Sequence, residues 1–151
     1  MLRDKIMDAV KQAQKGKNRK RISTLRLINA AIIDRDIALR GKGKDRADDD
    51  EVMDILGKMI KQREESSRLY DEGGRPELAA EERQEIEVIR EFLPHQLDEA
   101  ELAEAVDAVV AETEAQSLRD MGKVMGLLKE RYRGQIDLGK AGALIKSKLG
   151  S

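Results

Sequence analysis

Apolar side chains return at three- and four-residue intervals in seven separate windows of this 151-residue chain, and that spacing fixes one face of a helix each time. Leu2, Ile6, Ala9, Val10 and Ala13 form the first window, with Gly16 placed as a C-terminal cap. Ile22, Leu25, Ile28, Ile32 and Leu39 form the second. Leu27, Ala30, Ala31 and Ile33 widen its apolar surface so far that burial on more than one side is expected. Val52, Ile55, Leu56, Met59 and Ile60 open a third helix that runs on to Tyr70. "DEGGRPE" then stops it, and Pro76 restarts a fourth helix carrying Leu78, Ile86, Ile89 and Leu93, which Pro94 ends.

Three shorter windows follow: Leu102 to Val109, Met121 to Leu128, and Leu138 to Leu149. Asp98 with Glu101 three residues on has the geometry of a capping box for the first of them. The expected fold is therefore all-α, an N-terminal helical hairpin region over residues 1–94 followed by a small C-terminal three-helix bundle over 95–151, with the boundary near Pro94. The aromatic set agrees with an aliphatic, helical core, because it consists of Phe92, Tyr70 and Tyr132 with no tryptophan, and strands draw on aromatic and β-branched residues.

The chain has no cysteine, which excludes disulfides, thiolate catalysis and Cys-based metal sites. No apolar run has signal-peptide or membrane-span length. A soluble, cytoplasmic protein is expected, with no membrane partner.

A net charge of −1 conceals strong segregation: +9 over residues 1–46, −8 over 47–97, −7 over 98–116 and +5 over 117–151. Basic ends around an acidic middle suggest either mutual neutralisation on packing or particular surfaces that meet a polyanion. Within the basic end, "RDMGKVMG" places Gly122 and Gly126 one turn apart in a helix, although each costs about 1 kcal/mol relative to alanine. One explanation is a tight crossing with the last helix, whose Gly139 and Gly142 offer matching small positions. The other is a ligand backbone, such as a nucleic acid phosphate, approaching the glycines while Lys123 grips it. Arg131, Tyr132 and Arg133 are expected in a loop beside Gly134, where guanidinium groups and a ring could meet phosphates or an unstacked base.

Elsewhere the chemistry is thin. Asp137 reads as an N-cap, His95 as structural, and Asp48, Asp49, Asp50 and Glu51 as a solvated helix start with no calcium-loop spacing. Walker-type, nucleophile-elbow and dinucleotide motifs are missing from the sequence. No catalytic residue, metal or cofactor is expected.

"FLPHQL", "DMGKVMG" and "GKAGALIKSKL", taken in order, resemble the YqeY family. So do "DAVKQAQKGKNRKRISTLRLINAAI" at the start and "KQREESSRLYDEGGRPELAAEERQEIEVIREFLP" in the middle, so the similarity spans the whole length. Phe92 stands where many relatives have tyrosine, and Arg40 to Asp50 falls in a variable loop. The resemblance implies an all-helical protein whose C-terminal bundle is similar to the tail of the B subunit of the aspartyl/glutamyl-tRNA amidotransferase, a tail understood to touch tRNA. YqeY-like segments are also fused to some glutaminyl-tRNA synthetases.

The expectation is a non-catalytic tRNA-binding or tRNA-enzyme accessory protein, partnered by tRNA and by a tRNA synthetase or amidotransferase. Gly122, Lys123 and Gly126 match the family motif, and charge and position add Lys129, Arg131, Arg133 and Lys140 to the RNA-binding set. One alternative is a protein-interaction adaptor acting through the hairpin of residues 49–93. Another, by family association, is a carbon–nitrogen ligase with glutamine as amido donor, for which the chain lacks both a cysteine nucleophile and room for the enzyme body.

Overall fold

The computed structural model describes residues 1–150 as seven α-helices joined by short connections, with no strand among them. Two compact units divide the chain, Met1–Leu93 and Pro94–Ser151.

In the first unit, α1 (Leu2–Lys15) ends at Gly16. The chain then turns through Lys17 in the left-handed region, φ 57°, into α2 (Arg19–Arg40). Asn18 caps α2 by accepting from the Arg21 N–H at 3.1 Å. Asp48 caps α3 (Asp49–Glu72) by accepting from the Glu51 N–H at 2.9 Å, and Asp49, Asp50 and Glu51 lie in its first turn, where the helix dipole favours negative charge. Gly74, at φ 72°, supplies the left-handed turn that reverses the chain. Pro76 then opens α4 (Pro76–Arg90) at a position where its missing N–H costs nothing.

Pro94 does not itself end α4. The helix stops at Arg90, and the amides of Glu91, Phe92 and Leu93 bond three residues back to Val88, Ile89 and Arg90. That tightening accommodates Leu93, which as the residue before proline is disfavoured in the α conformation.

The helices of this unit enclose a core of Ile6, Leu25, Ile28, Ile32, Val52, Leu56 and Ile89. Polar ties fix their register. Arg63 on α3 donates through Nε to Glu85 on α4 at 2.8 Å and through Nη1 to the Met59 carbonyl at 3.2 Å. Arg21 on α2 pairs with Glu91 just beyond α4.

The second unit is a three-helix bundle: α5 (Glu99–Thr113), a 3-10 turn at Leu118–Asp120 running into α6 (Met121–Arg131), and α7 (Leu138–Leu149). The capping box at its start is complete. Asp98 accepts from the Glu101 N–H at 2.8 Å, and the Glu101 carboxylate accepts from the Asp98 N–H at 3.1 Å. Val106, Val109, Val124, Leu128, Ala141 and Ile145 make the core, with Tyr132, Met121 and Met125 packed partly buried against it. Gly134, φ 76°, turns the chain between α6 and α7. Its carbonyl accepts from the Gln96 side chain, and the Leu97 N–H donates to Gln135 at 2.8 Å, which fastens the segment before α5 to this loop.

Candidate nucleic-acid interface

Val124 and Leu128 point α6 into the bundle core. With about 100° per residue, the side opposite that pair is occupied by Gly122, Gly126 and Lys129, with Lys123 at its margin, and all four are exposed. A Cβ built on Gly122 or on Gly126 meets nothing within 4 Å. The tight-crossing explanation of the two glycines therefore fails, because no helix lies over them. Gly142 is the glycine of this unit that faces another helix, and even there a Cβ would make ordinary contact with Met121 Cε at 3.6 Å. The outer face of α6 is thus bare backbone between two lysines.

The remaining cations of the tail divide into two groups. Arg131 does not lie in a loop. It ends α6, and its guanidinium forks onto Glu112 of α5 at 2.6 and 2.5 Å, which raises its pKa further and holds the Glu112 carboxyl below its ordinary range. Lys148 on α7 pairs with Asp107 on α5. Tyr132 packs against the core, so its ring is not presented for stacking on a base. Arg133 is half-buried in the α6–α7 connection.

The second group faces water. Lys129, Lys140 and Lys146 are exposed, and among the described residues none of them is in an ion pair. Lys140 stands in the first turn of α7, where its backbone N–H and that of Gly139 donate to the capping Asp137 at 3.2 and 2.8 Å. Lys123 has an acidic neighbour in Asp120. That carboxylate accepts from the N–H groups of Gln116 and Ser117 at 2.9 and 3.3 Å, and these bonds, with the Lys123 charge behind them, lower its pKa.

Sequence reasoning missed Glu112 and Asp107, which neutralise two tail cations from another helix. The run of carboxylates without a base over residues 98–116 was the available signal.

Other candidate chemistry is sparse among the described residues. His95 is exposed, with Nε2 3.1 Å from both carboxylate oxygens of Glu101. No group of three or more His, Asp or Glu side chains is arranged to hold a metal ion. No helix is long and apolar enough to cross a membrane. In the first unit a groove of about 420 Å³ lies between α2 and α4, lined by Lys20, Arg21, Glu81 and Glu85 among others. Two of those charges are already spent on Glu91 and Arg63.

A protein-family model described as Yqey-like protein matches residues 3–149. No curated protein matches the chain.

Proposed function

The chain belongs to the YqeY family, and from that membership together with the outer face of α6 we infer a non-catalytic tRNA-binding protein, an accessory to a tRNA synthetase or amidotransferase. One observation carries the reading: Gly122 and Gly126 are open to solvent between Lys123 and Lys129, with no packing need for either glycine. A residue pair that weakens its own helix by about 1 kcal/mol per position, and gains no contact for it, is accounted for by a ligand that must approach the backbone. A phosphate chain fits the bare stripe, and the flanking ammonium groups supply its counter-charge.

Lys123, Lys129 and Lys140 are the cations assigned to the phosphates. Arg131 is a reserve held by Glu112, and Arg133 acts through the shape of the loop. Recognition of this kind reads backbone form rather than base identity.

The test is equilibrium binding of the full chain to a bulk tRNA pool. Three phosphate contacts predict an affinity that falls roughly thirty- to forty-fold between about 50 and 200 mM salt. The double variant Lys123→Glu with Lys129→Glu should abolish most of that salt-sensitive component. Unchanged affinity in the double variant would remove this face from any role in RNA binding.

A further inference from the structure

The outer face of α2 carries large apolar side chains that the core does not use. Leu25, Ile28, Ile32 and Leu39 are buried on one side of this helix, while Leu27, Ile33 and Ile37 on the other are exposed to 46%, 46% and 59%. Ala30 lies among them, also exposed. Arg26 and Asp34 border this surface, one before and one after Ala30. Both are exposed, and among the described residues neither is in an ion pair.

The helical period arranges these residues symmetrically. Taking Ala30 as the mid-line, Arg26 lies about one turn earlier and about 40° to one side, and Asp34 about one turn later and about 40° to the other. Leu27 and Ile33 stand in the same relation at about 60°. A two-fold axis through Ala30, normal to α2, lays a second copy antiparallel on the first. It sets Arg26 opposite Asp34 of the partner subunit, and Leu27 opposite the partner subunit's Ile33. Ala30 meets its own mate, and its single methyl lets the helix axes approach closely.

We propose that α2 is the interface of a symmetric homodimer, with Ala30 on the two-fold axis and two Arg26–Asp34 ion pairs crossing it. Charge complementarity selects a second copy as the occupant. A partner of other sequence would be met by one sign of charge or by apolar surface alone, whereas here each half of a self-complementary contact is present on one helix, in the arrangement an isologous interface requires. The contact spans about three turns, at the small end of specific interfaces, and so gives a weak and reversible dimer. Lys20 and Arg40, the like charges that the same symmetry brings to one edge, stand about 80° from the mid-line at its margins.

Sedimentation of the full chain over a concentration series reads the equilibrium directly, and a monomer–dimer transition is expected. Arg26→Asp and Asp34→Arg each place like charges across the axis and should raise the dissociation constant at least about ten-fold. The combined variant Arg26→Asp with Asp34→Arg restores opposite charges and should return it to near the original value. The exposure of both side chains keeps the fold intact, which helicity measured on each variant verifies.

Because the chain has no cysteine, Ala30→Cys gives a single thiol on the axis. Mild oxidation should join two copies through it far faster than through Glu87→Cys on α4. A chain that stays monomeric throughout overturns the proposal and leaves the face to a different protein. A dimer indifferent to the single reversals, or a double variant no better than either single, overturns it equally.

Discussion

Arg3 and Asp36, 33 residues apart, are joined by two parallel bonds of 2.8 Å, from Nη1 to Oδ2 and from Nη2 to Oδ1. The pair is 17% and 11% exposed, and it ties the first turn of α1 to the last turns of α2. Asp36 Oδ1 also accepts from the Ala47 N–H at 2.8 Å, while Arg3 Nη2 donates to the Ala47 carbonyl at 3.2 Å, so one fork holds three segments.

Removing one partner strands the other. Asp36→Asn leaves a shielded guanidinium without its anion and should cost about 3 kcal/mol of the first unit's stability, read from urea unfolding. Arg3→Met combined with Asp36→Leu should recover part of that loss. Recovery stays partial because the Ala47 N–H still lacks its acceptor.

The same carboxylate makes stability depend on pH. The Arg3 hydrogen bonds, supported by the Ala47 N–H and the Arg3 charge, lower the Asp36 pKa from 3.8 to about 2 against the opposing effect of burial. A depressed folded-state pKa contributes stability that is complete above the unfolded value and drains away as pH falls through the folded one. Between about pH 4 and pH 2 the protein should lose about 2 kcal/mol through this group. In Asp36→Asn this contribution is absent over that interval, which chemical denaturation at stepped pH would record.

Gly122→Ala and Gly126→Ala should each stabilise the bundle by about 1 kcal/mol, since the added methyl meets nothing and the helix gains propensity. The same substitutions should weaken tRNA binding by standing between backbone and phosphate. Thermal unfolding and tRNA titration on the same samples separate the two effects. A gain in stability with unaltered affinity would leave the glycines without an RNA role.

Glu112→Gln releases Arg131 from its carboxylate fork. Fold and melting temperature should change little, because the pair is exposed to solvent and screened there. Affinity for tRNA should rise several-fold at low salt, with a steeper salt dependence, because one more cation becomes available. A titration at two ionic strengths checks both.

Much of the helical framework was legible because it depends on local patterns. The three- and four-residue apolar repeats marked all seven helices, Asp98 with Glu101 announced the cap of α5, Asp137 that of α7, and Pro76 the start of α4. Features that depend on the third dimension were not legible. A small residue at Gly122 or Gly126 is equally consistent with a close neighbour and with none. Nor does an apolar helix surface say which side will be covered: burial on several sides was expected of α2, yet Leu27, Ile33 and Ile37 lie open. Arg131 and Tyr132 were assigned to a loop because Gly134 follows them, but the Leu128 carbonyl still accepts from the Tyr132 N–H at 2.9 Å, and the helix carries on to Arg131. The Arg3–Asp36 fork had no local signature at all.

That fork also settles how the stretch from Gly41 to Arg46 can change. Ala47 is held at both its N–H and its carbonyl by groups outside the loop, and Asp48 next to it caps α3 independently. The starting point of α3 is therefore set by an anchor downstream of the loop rather than by the length of chain leading to it. Insertions between Gly41 and Arg46 can bulge into solvent while the two helices keep their places, which makes this connection the natural point for grafting a reporter peptide into the first unit.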